Sequence, residues 1–319
     1  MTASASAADQ PAPIGRAIIS MATAIFLFAS MNAMIKSLGD TYPVNQIIFF
    51  RSVFALVVIW PLIVRAGGLK SLKTTRLWGH AWRAGAGALA MSCGFTALSL
   101  MPLANAAAFS FTAPFFVTIL GVLLLGEKVR WRRTVALIVG FAGVLIMLRP
   151  DRTFAAGVAA LDDGMALGAI LALTGAFFAA LAMISIRRLS STEPNTTIVF
   201  YFMMTAAVGG AAFLPYNFVL PVSWTDLALL ICIGLVGGLA QVLLTNAYRK
   251  APVAVVAPFD YTAMVWATIY GFVLWGEVPD IMVIGGALIV IGSGVYITLR
   301  EIKLGGGRPA PVKLRADLP

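Results

Sequence analysis

Two charged side chains, Arg51 and Asp260, lie deep inside long apolar stretches of the sequence. A charge at such depth in a bilayer costs about 2.5–3.5 kcal/mol on insertion scales, so it usually faces a cavity or a partner. Each residue is about eight positions into its stretch, which corresponds to about 12 Å along an ideal helix. A pairing between them, direct or through a bound molecule, is geometrically allowed. Both are candidate substrate-binding residues, and the alternative is that each bonds backbone carbonyls and ties helices together.

Uncharged polar side chains occur within these stretches or at their mouths, among them Asn32, Thr112 and Gln241. Amides and hydroxyls can aim hydrogen bonds at a ligand, but they also hold membrane helices together. We expect these three to contact substrate, with helix association as the open alternative for each.

Aromatic rings are dense at similar depth, and Phe49, Phe109, Tyr261 and Trp266 are candidate substrate contacts. A small-molecule site is usually an apolar cavity that contains a few aimed polar groups. Packing between helices or contact with lipid is the alternative for each ring.

The sequence offers little for catalysis. It contains one histidine, His80, and two cysteines, Cys93 and Cys232, which form no CxxC pair. A membrane enzyme would need paired carboxylates, an HExxH motif or a Ser/His arrangement at the membrane face. We therefore expect no enzymatic activity, no cofactor and no metal site.

The composition places the chain in a lipid bilayer. Hydrophobic residues make up 60% of the sequence and charged residues 11%, and the mean hydropathy is +0.93. Soluble domains carry about 25% charged residues. Ten apolar spans can be drawn, each close to the length that crosses a bilayer: 17–35, 44–64, 84–101, 103–125, 134–148, 164–186, 196–214, 226–247, 253–275 and 281–299.

The net charge of +10 could indicate nucleic acid, but the placement of the 23 Lys and Arg residues argues against it. With the amino terminus in the cytoplasm, only Lys36, Arg149 and Arg152 fall outside, and Arg51 falls within a span. Such a bias is the positive-inside signal of membrane topology. We expect a multi-pass membrane protein with both termini cytoplasmic and no nucleic-acid partner.

The spans form an internal repeat. Pro102 to Glu127 and Pro252 to Glu277 are identical at 12 of 26 aligned positions. The predicted organisation is an N-tail over 1–15, one five-span repeat over 16–150, a second over 163–303 and a C-tail over 304–319, with both tails disordered. Since five is odd, the second repeat enters the membrane inverted.

This organisation predicts an all-α membrane protein of ten transmembrane helices, built as two inverted five-helix repeats around a central cavity. Secondary carriers often have this construction, with the substrate near the midplane where the repeats meet. A channel is a rival, although the sequence lacks a filter-like or charge-ring repeat. Ser110 occupies the position of Asp260 in the other repeat, so substrate asymmetry can enter there.

The fourth and ninth spans both end in Gly-Glu, at Gly126-Glu127 and Gly276-Glu277. A Gly can adopt the left-handed conformation that ends a helix, and a carboxylate favours the positive end of the helix that follows. We expect structural rather than catalytic roles for both glutamates.

These features resemble the EamA family of the drug/metabolite transporter superfamily over residues 17–301. The resemblance rests on the Ala-rich fourth span that closes on Gly-Glu, on Arg51 after Phe49-Phe50, and on Pro114 thirteen residues before Glu127. In the second half Met264 stands where that proline is expected. The family architecture implies a cavity lined by spans one to four and six to nine, with spans five and ten peripheral.

One segment is similar to a bacterial branch of this family that includes riboflavin and S-adenosylmethionine carriers. It runs from Pro258 to Thr262 as Pro-Phe-Asp-Tyr-Thr and continues at Trp266-Ala267. The resemblance implies a location in the bacterial inner membrane and a small-molecule substrate, with riboflavin uptake expected first. Uptake or export of S-adenosylmethionine, an amino acid or another metabolite is the alternative.

Overall fold

The computed structural model describes residues 14–125, 131–148, 163–189, 192–250 and 257–303. These residues form eleven α-helices and two short 3₁₀ segments. The helices are α1 (Ile14–Leu38), α2 (Val44–Arg65), α3 (Leu77–Leu100), α4 (Leu103–Ser110), α5 (Ala113–Leu125), α6 (Trp131–Leu148), α7 (Asp163–Leu189), α8 (Asn195–Asn217), α9 (Trp224–Lys250), α10 (Thr262–Trp275) and α11 (Ile281–Lys303). The 3₁₀ segments are Gly68–Leu72 and Ala257–Tyr261.

The apolar helices agree with a multi-pass membrane protein. Six helical stretches are long and apolar enough to cross a membrane: Gly15–Leu38, Val44–Arg65, Leu103–Leu124, Gly164–Ile186, Asn195–Asn217 and Trp224–Ala247. The other four predicted spans overlap α3, α6, α10 and α11. That these four also cross the bilayer stays a prediction.

Prolines define where several helices begin. Pro43, Pro102 and Pro194 each precede the first residue of a helix, with ψ of 140°, 143° and 144°. Proline lacks a backbone N–H, which costs nothing at a helix start because the first N–H groups have no intrahelical acceptor. The chain therefore turns at these residues and re-enters a helix directly.

The fourth predicted span is broken into two helices. α4 ends at Ser110, and α5 begins at Ala113 with Pro114 in its first turn. Pro114 has no N–H to donate to the preceding turn, so the helical ladder is interrupted there. Thr112 Oγ1 donates instead to the Phe109 carbonyl at 2.7 Å.

In the ninth predicted span, the 3₁₀ segment Ala257–Tyr261 precedes α10 at the equivalent place. Thr262 Oγ1 donates to the Phe259 carbonyl at 2.7 Å, which repeats the bond made by Thr112. The rings of Phe111 and Tyr261 meet edge to face with centroids 5.3 Å apart. The break between α4 and α5 therefore contacts the 3₁₀ segment that precedes α10.

Helix packing brings the two halves of the chain together. α3 packs on α7 and α1 on α9, while α2 packs on both α8 and α9, and α3 on α8. α5 contacts α7, α10 contacts α1, and α6 packs on α11. Each of these pairs joins a helix that precedes residue 149 to one that follows residue 162.

Glycine allows two of these helix pairs to approach closely. A Cβ at Gly143 of α6 would lie 2.8 Å from the Gly286 carbonyl oxygen of α11. A Cβ at Gly234 of α9 would collide with the Cβ of Phe54 in α2. Small residues at such crossings allow the van der Waals contacts that hold helices together in lipid.

The second Gly-Glu motif caps a helix as predicted, but the glutamate has a different partner from the one expected. Gly276 ends α10 in the left-handed region, with φ of 67°. Glu277 Oε2 accepts from the Leu103 backbone N–H at 2.9 Å. It therefore satisfies the first turn of α4 rather than that of α11, the helix that follows it. The first motif, Gly126-Glu127, lies outside the described residues.

Candidate functional site

A cavity of about 340 Å³ lies between α1, α3, α4, α5, α7 and α10. Its walls are Ile25, Phe28, Ala29, Asn32, Ala90, Met91, Gly94, Phe95, Ala97, Leu98, Leu103, Ala106, Ala107, Ser110, Ala113, Ala172, Gly175, Ala176, Ala179, Ala263 and Ala267. The volume lies within the range of about 300–1,000 Å³ that is usual for small-molecule sites.

The cavity wall is mostly alanine and contains two polar side chains, Asn32 and Ser110. Asn32 comes from the middle of α1, and Ser110 stands at the last residue of α4, next to the helix break. Ser110 Oγ donates to the Ala107 carbonyl at 2.6 Å. Helices α6 and α11, the predicted peripheral spans, contribute none of the wall residues. The wall could hold an apolar body and orient it through these few polar groups.

Of the nine predicted site residues, Asn32 is the one that lines this cavity. Phe109 and Thr112 are buried beside it, with 5% and 3% of their surface exposed. Thr112 uses its hydroxyl on the Phe109 carbonyl, so in this conformation it stabilises the helix break.

The other predicted aromatic residues pack against neighbouring rings. Trp266 meets Phe26 edge to face at 4.9 Å between centroids, and Phe49 meets Phe50 at 5.6 Å. Tyr261 packs on Phe111. None of these three predicted contacts is part of the wall of this cavity.

Asp260 and Gln241 lie in the second half of the chain and are partly buried. Asp260 stands on the 3₁₀ segment that packs against α1, and Gln241 stands on α9. Neither belongs to the wall of the cavity.

Arg51 lies directly behind the cavity wall. It is 5% exposed, and its Nη1 approaches the sulfur of Met91 at 3.1 Å and that of Met203 at 3.6 Å. Its guanidinium carbon lies 6.0 Å from the centroid of the Phe95 ring. Since Met91 and Phe95 are wall residues, one layer of side chains separates the charge from the cavity.

Among the described residues, no ion pair joins Arg51 to Asp260. Lys36 pairs with Glu277 at 3.0 Å, and His80 pairs with Glu193 at 3.7 Å. Arg51 therefore contacts thioether sulfurs and an aromatic ring where the sequence allowed a carboxylate.

Sequence reasoning missed Arg83, which it assigned to the cytoplasmic cations that set topology. Arg83 is 7% exposed, and its guanidinium lies over the Phe202 ring at 4.0 Å. The available signal was helical spacing, because residues three and four apart share one face of a helix. Arg83, Gly87, Met91 and Phe95 follow that spacing along α3.

Several known proteins are similar to this chain over most of its length. The EamA-like transporter family matches the chain twice, over residues 15–149 and 166–299. The pseudopaline exporter CntI of Pseudomonas aeruginosa is 32% identical over 86% of this chain and 93% of its own length. An S-adenosylmethionine uptake transporter of Rickettsia bellii is 30% identical over 85% and 89%. A riboflavin transporter of Rhizobium johnstonii is 29% identical over 82% and 83%.

The fold also matches a solved structure. A protein known from a crystal structure superposes with a TM-score of 0.62, at 21% identity, over 90% of this chain and 97% of that chain. The resemblance inferred from the Gly-Glu repeats is thereby confirmed, because the family match spans both halves. The chain belongs to the EamA-like transporter family.

Proposed function

We propose that this protein is an inner-membrane secondary carrier of a small organic metabolite. The observation that carries the proposal is the cavity that helices from both halves of the chain enclose, in a member of a transporter family. A site shared between two halves can be exposed to either side when the halves rock against each other.

The proposed architecture is ten spans in two inverted five-helix repeats, over residues 16–150 and 163–303, between tails at 1–15 and 304–319. Three observations support it. The family matches each half separately, and equivalent helix pairs such as α3–α7 and α9–α1 pack alike. Thr112 and Thr262 each donate a hydrogen bond to the carbonyl three residues earlier, near the starts of α5 and α10.

The proposed orientation has both termini in the cytoplasm. It rests on the distribution of Lys and Arg, which leaves few cations on the other side. With ten spans, this orientation places the loop after α10 outside and the loop between α2 and α3 inside.

The substrate is proposed from the relatives and from the branch resemblance. Riboflavin and S-adenosylmethionine are named for two of the similar proteins, and pseudopaline, which is exported, for a third. Riboflavin uptake is the first candidate, and S-adenosylmethionine or an amino acid, moved in either direction, is the second.

The proposed substrate contacts begin with Asn32 and Ser110 in the wall and Arg51 behind it. Asp260 is the repeat counterpart of Ser110, which already lines the cavity. We propose that Asp260, with Gln241, Tyr261 and the remaining predicted residues Phe49, Phe109, Thr112 and Trp266, contacts substrate when the cavity opens to the opposite side. An exchange of equivalent helices between the two states is the expected behaviour of inverted repeats.

Counterflow in liposomes tests the carrier. Purified protein is reconstituted with unlabelled riboflavin or S-adenosylmethionine inside, and entry of the same labelled compound is followed. We expect saturable entry that is faster than into liposomes without internal substrate. Flux that does not saturate and shows no counterflow would indicate a channel, and the absence of flux for both compounds would contradict both substrate assignments.

A further inference from the structure

Arg51 and Arg83 are two buried cations. Arg51 Nε and both Nε and Nη1 of Arg83 are fully buried, and no hydrogen-bond acceptor reaches them from the parts of the chain that the structure describes. Within the described ranges no carboxylate lies within ion-pair distance of either group. A buried charge of this kind is costly unless something compensates it.

Glu193, the acid beside His80, is already engaged. Glu193 lies 3.7 Å from His80 Nε2 and accepts from Thr74 Oγ1 at 2.7 Å. The ring of His80 packs on Tyr201 at 4.6 Å between centroids. Glu193 therefore pairs with His80, while the Arg83 guanidinium lies over the Phe202 ring.

Gly87 allows Arg83 to point along α3 towards the cavity. A Cβ at Gly87 would lie 2.5 Å from Arg83 Nη1 and 2.6 Å from the Phe202 ring. The guanidinium thus occupies the space that any larger residue at 87 would fill. It lies one turn before Met91, the residue that both lines the cavity and contacts Arg51.

The existing contacts of the two arginines are weak substitutes for an anion. Thioether sulfur is a weak acceptor, and an aromatic ring attracts a cation without neutralising it. Hydrogen bonds from guanidinium to a carboxylate or phosphate are roughly twice as strong as neutral ones and are often bidentate. Met91 has a flexible side chain that can move aside, which would open the wall to Arg51.

We propose that Arg51 and Arg83 form an oxyanion-binding site behind the cavity wall, and that the transported metabolite carries a carboxylate or phosphate that displaces Met91 and binds there. This inference rests on the proposed carrier function and narrows its substrate class. The apolar body of the substrate occupies the alanine-lined cavity, and its anionic group reaches through the wall. Of the two proposed candidates, this site favours S-adenosylmethionine, which carries a carboxylate, over riboflavin, which carries no oxyanion and would fill only the cavity.

Transport of matched pairs of compounds tests the site. Proteoliposomes receive a defined mixture in which each pair differs mainly in an oxyanion: S-adenosylmethionine and its decarboxylated form, riboflavin 5′-phosphate and riboflavin, and histidine and histamine. Uptake of each is counted by mass spectrometry. A preference for S-adenosylmethionine or histidine would show that the site binds a carboxylate, and a preference for riboflavin 5′-phosphate would show that it binds a phosphate. The variants are Arg51→Gln and Arg83→Gln, and the control is Arg76→Gln, an exposed arginine beside the start of α3.

We expect wild-type protein to favour the oxyanion member of at least one pair. Each glutamine variant should raise the concentration for half-maximal uptake of that member by about tenfold or more, and Arg76→Gln should match wild type. Equal uptake of both members of every transported pair, unchanged in both glutamine variants, would overturn the oxyanion site and leave the carrier function intact.

A binding measurement separates the site from transport. The Tm of purified protein is measured in sodium citrate, sodium phosphate and sodium chloride at equal ionic strength. We expect one of the two oxyanions to raise the Tm of wild-type protein above its value in chloride, and to raise it less in Arg51→Gln and Arg83→Gln. The same Tm in all three salts, or an equal rise in the variants, would overturn the site. If no pair is transported while this Tm pattern holds, the site stands and the carrier function fails.

Discussion

Lys36 Nζ lies 3.0 Å from Glu277 Oε1, which ties the end of α1 to the loop after α10. The same ammonium group donates to the Met101 carbonyl at 2.7 Å, and the other carboxylate oxygen accepts from Leu103 N–H. Leu103 is a wall residue of the cavity. This network therefore joins α1, α10 and the junction of α3 and α4 at one end of the cavity.

Glu277→Gln is expected to destabilise the protein. The Lys36 and Glu277 side chains are only 11% and 18% exposed, so the lysine would lose its charged partner in a largely dry place. The expected loss in free energy of unfolding is about 1–3 kcal/mol, measured as a lower Tm in detergent. Lys36→Met combined with Glu277→Gln should cost less than the sum of the single changes, because the two residues interact directly. Additive losses would contradict a direct pairing.

Gly276→Ala tests the end of α10. Gly276 has φ of 67°, and a Cβ there would meet nothing within 4 Å, so strain in the backbone is the only penalty. We expect a loss of about 1–2 kcal/mol. Gly285→Ala is the control, because that glycine lies within α11 and also has open space. A helical Gly→Ala change should stabilise by about 0.5–1 kcal/mol. Equal Tm shifts for the two variants would contradict the left-handed cap.

Ala107→Phe should close the cavity. Ala107 is a wall residue, and a phenyl ring there would occupy the space proposed for substrate. We expect transport to fall at least about tenfold, because the ring would exclude substrate from the cavity, while expression and Tm stay near wild type because the ring enters open space. Ala142→Phe on the exposed face of α6 is the control and should transport normally. Normal transport by Ala107→Phe would show that substrate does not use this cavity.

Cysteine labelling in intact cells tests the orientation. In a background without Cys93 and Cys232, Val278→Cys and Thr75→Cys place single thiols at two exposed positions. We expect an impermeant maleimide to label position 278 in intact cells, and position 75 only after the membrane is opened. The positive-inside distribution is the reason for this expectation. The reverse pattern would overturn the inverted architecture.

Asp260→Asn separates two roles for the acid on the 3₁₀ segment. The amide keeps the shape and most hydrogen bonding but cannot hold a charge or an exchangeable proton. We expect riboflavin binding to survive and accumulation driven by a pH gradient to be lost, whereas affinity for cationic S-adenosylmethionine should fall. Asp40→Asn, in the exposed turn after α1, is the control. If the Asp260→Asn protein matches wild type in both binding and accumulation, the role of Asp260 is structural only.

The sequence alone was sufficient for the class of protein and for several local features. Hydropathy and span length predict membrane helices because burial of apolar side chains in lipid is a local requirement. The family resemblance followed from residues that recur in both halves and is confirmed by a match to each half. The left-handed cap at Gly276 was predictable, since glycine adopts positive φ at little cost.

Tertiary structure decided which residues meet. In a membrane helix both the side that faces lipid and the side that faces other helices are largely apolar. The periodic alternation of apolar and polar residues that marks the buried face of a soluble helix is therefore weak here. Sequence reasoning therefore favoured aromatic and polar residues, yet the cavity wall is mostly alanine, with Asn32 as the one predicted member. Burial of Arg83 depends on the space above Gly87 and on the Phe202 ring from another helix. Glu277 contacts α4 because packing brings that helix start beside it, and contacts between residues so distant in the chain leave no periodic signal in the sequence.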